Sequence, residues 1–436
     1  MFVRIRFQGL LGHFCESVLK ESIMNFVGYK CGLCGQESSQ EEIRYRCDSC
    51  NGPLLVTYNY ASLARKVTAE GLAARRPGVW KYRELLPVGL FTEPVSLGEG
   101  ATPMHKAKTL ATSIGLSNLF LKDDGRNPTG AFKDRGSTVG MTVAVERGVR
   151  AVGTVSHGNM GTSVAVYAAR AGRTCYIIAP EGIVSARLLY LSAYGAKVIQ
   201  VVGRYDSMYD ESLRIAEKHG VFFINCDNPF RIEGQKTLAF EIVEDLGWDV
   251  PDWVIAPMSS GGMVSALYKG FLEFKGLGIV PDIPRIAVVQ PENAQPVVSA
   301  FEKGAETIQR VNHEFISIVR SLGNPYPPSG NRVLRLLREL DGTAIAVPDE
   351  EVTAAQRDLA RMEGILAEPA GAIALAGLLR LIKLGKVKND EKVVLIVSGS
   401  GFKDPGDADK LIDKPVTVDI KDLESVIAKS ERNVDT

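Results

Sequence analysis

From about residue 118 onward the chain alternates between short apolar runs and amphipathic stretches, and this rhythm constrains its fold more than any other feature. The runs NLFLKDD, AVGTVS, TCYIIAP, KVIQVVG, VFFINC, WVIAPM, RIAVVQ and KVVLIVSG read as strands. Between and after them, GAFKDRGSTVGMTVAVERG, GTSVAVYAARAG, SARLLYLSAYG, SMYDESLRIAEKHG, GQKTLAFEIVEDLG, GMVSALYKGFLEF, DEEVTAAQRDLARMEG and AGAIALAGLLRLIKLG read as helices. Strands that are apolar without alternation are buried on both faces. Strand–helix alternation of this length implies an α/β fold of parallel sheets covered by helices. Such sheets bind ligands in the loops at the carboxyl ends of their strands.

Bulk properties narrow the function. A chain of 436 residues has room for roughly two to four domains, or one large α/β unit with an appendage. Its 45% apolar content can bury a sizeable core. Lys+Arg and Asp+Glu both total 51, and a net charge of zero argues against a nucleic-acid partner. No apolar run approaches the ~18 residues of a membrane span. The expected partner is a small molecule, and a homodimer is the expected assembly. Residues 1–23 hold two arginines, but Gly9, His13 and Glu16 interrupt their apolar part and no small-residue cleavage site follows. They do not read as a signal peptide, Met24 is an alternative start, and a cytoplasmic location is expected.

Four of the seven cysteines are clustered, Cys31, Cys34, Cys47 and Cys50, in the spacing C-x2-C-x12-C-x2-C. Each C-x2-C forms a knuckle that aims two thiolates at one point, and two knuckles supply the four sulfurs of tetrahedral zinc. Two disulfides or a redox pair are alternatives, the former disfavoured in the cytoplasm. A closed four-cysteine site is structural rather than catalytic. Zinc ribbons sometimes bind nucleic acid, but the loop GQESSQEE is acidic here. Cys15, Cys175 and Cys226 read as ordinary small residues.

Four loops carry candidate chemistry. In NPTGAFKDRG, Lys133 stands at a helix start, where the dipole and the neighbouring Phe132 lower its pKa toward a free amine able to form a Schiff base. In SHGNMG, glycines free N–H groups for an anion such as a carboxylate, and Asn159 adds a donor. In PMSSGGMVSA, Ser259, Ser260, Gly261, Gly262 and Met263 can form a nest for a phosphate. No lysine follows as in a P-loop, so a nucleoside triphosphate is not favoured. In IVSGSGFKDP, Ser398 presents a hydroxyl at a strand end. Taken singly, these also read as a solvated Lys–Asp pair, two glycine turns and a strand-capping serine. Together, an amine, a phosphate cradle, a carboxylate loop and a hydroxyl are what pyridoxal phosphate needs.

The same blocks carry a resemblance. NPTGAFKDRG is similar to the lysine motif of threonine synthases, within the tryptophan-synthase-β-like, fold type II class of pyridoxal-phosphate enzymes. LGEGATPM, YAARAG, NPFRIEGQKT, EGILAEPAGA and SGSGFKDP extend the likeness over most of the chain. The resemblance implies two parallel-sheet lobes with the cofactor between them, an N-terminal zinc-ribbon segment at 24–56 and a catalytic domain at 57–436. The smaller lobe would lie at very roughly residues 140–230. It implies Lys133 as the cofactor-linked lysine, Asn159 at the ring hydroxyl, Ser259–Met263 at the phosphate and Ser398 at the ring nitrogen. Ser156, His157, Asn225 and Arg231 would meet the substrate. The implied reaction turns O-phosphohomoserine and water into threonine and phosphate. A paralogous lyase or β-replacement enzyme acting on a serine-like amino acid is the alternative, and a catalytically dead zinc-ribbon interaction protein a more distant one.

The sequence departs from the family on the substrate side. His157 and Met160 replace hydroxyl-bearing residues of the usual S-T-G-N-T loop. Ser259, Ser260 and Met263 stand where Gly and Asn are usual, and Ser400 replaces the histidine of TGHG. The stretch VNHEFISIVRSLGNPYPPSGN, 311–331, is longer than its counterpart.

Overall fold

The computed structural model describes residues 25–156, 158–182, 185–203, 205–403, 411, 415 and 417–431. The extension at 1–23, Met24 and His157 lie outside the described residues. In chain order the strands are β1 (Phe26–Cys31), β2 (Glu37–Ser39), β3 (Leu54–Tyr58), β4 (Met104–Lys106), β5 (Asn118–Asp123), β6 (Ala151–Val155) and β7 (Thr174–Pro180). They continue as β8 (Lys197–Val201), β9 (Phe222–Phe223), β10 (Trp253–Pro257), β11 (Arg285–Pro291), β12 (Thr343–Val347) and β13 (Lys392–Val397). They form three sheets: antiparallel β2-β1-β3, six-stranded β12-β11-β10-β13-β5-β4 and four-stranded β8-β7-β6-β9. The four-stranded sheet is parallel throughout. The six-stranded sheet is parallel except for β4, which runs against β5.

The apolar runs are apolar because both faces of the large sheet are covered. Val254, Ala256, Ile286, Val288, Val394 and Ile396 face a core shared with helices Thr237–Asp245 and Gly262–Gly276. Ile255, Ala287, Val289, Val393 and Leu395 face the opposite core, built on helices Asp349–Glu363 and Pro369–Lys383. The period-2 direction of side chains divides each strand between the two cores.

Two strands differ from the sequence reading. KVIQVVG was expected to be buried on both faces, but β8 is an edge strand with Ile199 46% exposed. Only Phe222 and Phe223 of VFFINC join the ladder, because the Asn225 side chain takes the β6 end by accepting from the Val155 N–H at 3.0 Å. Asn228 then caps helix Pro229–Gln235 through the N–H groups of Phe230 and Arg231. Among the described residues no helix is long and apolar enough to cross a membrane.

One buried ion cluster joins the pieces around the candidate lysine. Arg135 is fully buried, with Nε and Nη2 on Asp124 at 2.8 and 2.7 Å and Nη1 and Nη2 on Glu241 at 2.6 and 2.7 Å. Lys122 adds a second cation, its Nζ 3.0 Å from Glu241. Burial pushes the Glu241 pKa up, but Arg135 and Lys122 outweigh it and hold the carboxyl well below the usual range. Arg135→Met strands the buried Asp124 and leaves Glu241 with Lys122 as its cation; it should cost about 3–5 kcal/mol, read as a lower denaturant midpoint. A depressed carboxyl stabilises the fold above its unfolded pKa and loses that contribution as pH falls. Wild-type stability should therefore drop below about pH 4, and more steeply than in Arg135→Met.

Candidate active site

The loop before Lys133 is set by a turn and by the last strand of the large sheet. Gly130 takes a left-handed φ of +73°, and its N–H donates to Asn127 O at 2.8 Å. The Phe132 N–H donates to Ser398 O at 3.1 Å, and the Ser400 N–H donates to Gly130 O at 2.9 Å. The lysine loop and the Ser398 loop are thus stitched by their backbones. Helix Lys133–Glu146 begins at once, so Lys133 stands in its first turn.

Lys133, Asp134 and Arg135 diverge. Arg135 enters the ion cluster. Asp134 is buried and accepts from Thr129 N–H at 2.7 Å, Thr129 Oγ1 at 2.7 Å and Ser163 Oγ at 2.6 Å. This replaces the solvated Lys–Asp pair that the sequence left open. Lys133 enters a cleft, its Nζ 4.1 Å from the Phe132 ring centroid. Burial, helped by the charge of Arg231, lowers its pKa to about 7, against weaker opposing effects of Cys226 and Glu368.

The cleft has two connected halves that share Lys133, Cys226, Ser259 and Ser260. One half is lined by Gly261, Gly262, Met263 and Ser398, the other by Ser156, Asn159, Met160 and Asn324. In the first half, Gly261 has a φ of +86° and no side chain caps the 15-residue helix Gly262–Gly276. An uncapped start of a long helix offers N–H groups and a positive field to an anion. A Cβ on Gly262 would stand 2.6 Å from Cys226 O, so only glycine fits there. Ser398 donates its hydroxyl to Ala370 O at 3.1 Å.

The second half is less open to ligands than the sequence suggested. Ser156 Oγ accepts from Gly158 N–H at 3.2 Å and Gly161 N–H at 3.0 Å, so it staples the start of helix Asn159–Arg170. The Asn225 amide is engaged with the Val155 N–H and with Ser212 Oγ, the latter at 2.8 Å. Arg231 is fully buried, with Nη1 2.6 Å from Met160 Sδ, and Met160 rather than Arg231 lines the cleft. Asn159 donates to both Glu368 oxygens at 2.8 and 3.0 Å, and its Oδ1 accepts from Lys403 Nζ at 3.0 Å. Lys403 and Glu368 are themselves 3.1 Å apart. Neither was singled out from the sequence, although EPAGA and GFKDP both lie in blocks that carry the resemblance.

The four clustered cysteines sit at the end of β1 and in the turns beside it, with their sulfurs all within 4.8 Å of one another and none in a disulfide. Cys31 and Cys50 sulfurs are 3.4 Å apart, and those of Cys34 and Cys47 are 3.6 Å apart. Four thiolates at ~2.3 Å from one zinc would lie about 3.8 Å from each other, so the donor set fits the ion.

Residues 95–399 match the family model described as pyridoxal-phosphate dependent enzyme. The threonine synthase of Methanocaldococcus jannaschii is 43% identical over 392 residues, covering 89% of this chain and 96% of that protein. The Methanosarcina acetivorans threonine synthase is 41% identical, covering 89% and 95%. Among solved structures, maize serine racemase is similar with a TM-score of 0.59 at 24% identity, over 77% of this chain and 94% of that one. Escherichia coli diaminopropionate ammonia lyase has a TM-score of 0.62 at 20% identity, over 73% and 88%. These two support the fold alone.

The lowered pKa of Lys133, about 7, leaves a large share of it as free amine at neutral pH. An amine-selective acylating reagent should modify Lys133 with a half-maximal rate near pH 7, resolved by mass spectrometry, while exposed lysines need pH above about 10. A Lys133 profile coinciding with that of the exposed lysines would contradict the desolvated geometry.

Proposed function

The chain belongs to the threonine synthase family of pyridoxal-phosphate-dependent enzymes, and from that premise we propose that it converts O-phosphohomoserine and water into L-threonine and phosphate through Lys133. The observation that carries the site assignment is the desolvated Lys133 amine, across a cleft from the uncapped helix start at Gly262 and beside Ser398. The Ser259–Met263 segment would hold the cofactor phosphate, Lys133 its reactive carbon, Asn159 the ring hydroxyl and Ser398 the ring nitrogen. When bound, pyridoxal phosphate supplies an electron sink beside the substrate's amino carbon.

The protein's own groups then do the proton work. An uncharged Lys133 takes a proton from Cα, and one proton leaves Cβ as the phosphate departs from Cγ. A proton delivered to Cγ makes the methyl group, water adds its hydroxyl at Cβ, Cα regains a proton, and the proton left over from water goes with the phosphate. The Lys133 pKa near 7 suits both directions of transfer. Arg231, at the start of helix Pro229–Gln235, supplies the positive charge for the departing phosphate, with Asn225 fixing the strand end before it. Ser156 lines the half of the cleft proposed to take the substrate. Met160 stands against this arrangement, because a thioether donates no hydrogen bond and its sulfur covers the Arg231 fork.

Comparing kcat/KM for O-phosphohomoserine, O-phosphoserine, serine and threonine tests the reading. O-Phosphohomoserine should be preferred, and Arg231→Ala should raise its KM strongly. Met160→Thr should lower that KM by about 5- to 150-fold, the equivalent of ~1–3 kcal/mol for a charge-assisted hydrogen bond. Preference for a non-phosphorylated amino acid, with Arg231→Ala silent, would replace this substrate with a serine-like one.

Cys31, Cys34, Cys47 and Cys50 are proposed to hold one structural zinc, and the segment 24–56 to form a ribbon ahead of the catalytic domain at 57–436, with its smaller lobe near 140–230. Unpaired thiolates fit a reducing compartment such as the cytoplasm. Metal analysis of reduced protein should find one zinc per chain. Replacing one of these cysteines should lower stability more than it slows the chemical step.

A further inference from the structure

Cys226 stands where the two halves of the cleft meet, together with Lys133, Ser259 and Ser260. Its carbonyl oxygen packs against the Gly262 helix start. The short segment that holds it, from the end of β9 to the cap of the Arg231 helix, has little ladder of its own. Consecutive ribbon residues grip this segment near both ends. Tyr45 Oη accepts from the Phe223 N–H at 3.1 Å. Arg46 Nη2 lies 2.6 Å from Asp227, whose side chain is 2% exposed. Tyr209 closes the second grip: its hydroxyl donates to Asp227, it accepts from Arg46 Nη2 at 3.2 Å, and its ring centroid lies 5.5 Å from the guanidinium.

We propose that Tyr45 and Arg46 are positioning residues for the reaction: a two-residue clamp from the cysteine ribbon that sets Cys226, and through the Asn228 cap Arg231, against Lys133. The inference rests on the reading of this cleft as the active site. The clamp touches neither substrate nor cofactor. It adds two side-chain ties to a segment otherwise held by the Ile224 N–H on Gly153 O, by the Asn225 side chain and by Asn228, none of which bonds Cys226 or Asp227 through a side chain from the N-terminal sheet. A buried Asp227 without its guanidinium would push that segment toward water. A displacement of one ångström at a catalytic cleft is worth about a hundredfold in rate.

Arg46→Met tests this, with Tyr45→Phe and the double change Arg46→Met/Asp227→Asn as companions. The double variant removes both charges, so no carboxylate is stranded and its melting temperature should lie close to wild type. Its KM for O-phosphohomoserine should nevertheless rise about tenfold or more with kcat changed far less, since the charged grip at Asp227 is gone and, of the clamp, only the Tyr45 tie at Phe223 remains. Arg46→Lys should recover part of the loss. A readout independent of turnover is alkylation of Cys226 by iodoacetamide in the native holoenzyme, followed by mass spectrometry. Cys226 is 8% exposed, so its rate should be low in wild type and at least about tenfold higher in the double variant. Wild-type KM and wild-type Cys226 alkylation in the double variant would overturn the clamp. Failure of the active-site reading looks different: borohydride would then fix cofactor to a lysine other than Lys133, whatever Cys226 does.

Discussion

The guanidinium of Arg135 is the interaction on which the rest of the structure leans. It is fully buried and satisfies two carboxylates, Asp124 after β5 and Glu241 on helix Thr237–Asp245, and it reaches Thr102 Oγ1 at 2.9 Å. Thr102 in turn donates to Asp124, and the Ala101 N–H donates to Glu241 at 2.8 Å. The loop before β4, the turn after β5 and two helices therefore share one charge cluster. A buried pair of this kind adds little net stability over an apolar replacement, but breaking it is costly. What it provides is a fixed origin for the helix that starts two residues earlier.

From that origin three successive side chains serve three purposes. Arg135 anchors the large sheet, Asp134 reaches Ser163 on helix Asn159–Arg170, and Lys133 is left to the cleft. Desolvation of the amine is thus a by-product of how its neighbours are spent. The N-terminal β2-β1-β3 sheet supports the opposite wall, where the Phe26 and Tyr29 rings pack edge-on to Phe230, beside Arg231. Tyr58 donates to Glu233 on the same helix at 2.7 Å.

Much of this was legible from residue patterns. The apolar runs announced the parallel sheets because double burial leaves no polar face, and the cysteine spacing announced a four-sulfur site because knuckle geometry is local. Lys133 was legible from its turn and its place at a helix start. TAIAV, now β12, and helix Gly330–Glu339 escaped notice beside the Pro- and Gly-rich stretch that precedes them. KVIQVVG is the strand its composition implies, β8, but its edge position is not legible because an edge strand and a central strand can share one composition. The side chains of Ser156 and Asn225 also hold the loops they stand in, Ser156 through the Gly158 and Gly161 N–H groups and Asn225 through the Val155 N–H and Ser212 Oγ, and residue type alone does not reveal such bonds. Glu368 and Lys403 were passed over because a charge pair that closes across the fold leaves no periodic trace.

The stitching of the lysine loop to the Ser398 loop has a temporal consequence. β5 and β10 are separated in the sheet by β13, so the centre of the large sheet is filled by its last strand. A ribosome will have released β5 and Lys133 long before Phe132 finds its acceptor on Ser398. Until then the cleft around the amine lacks one wall. Such late, distant pairing slows folding and leaves apolar strands exposed during synthesis. It also means that the cleft around Lys133 is complete only when nearly all of the protein has been made.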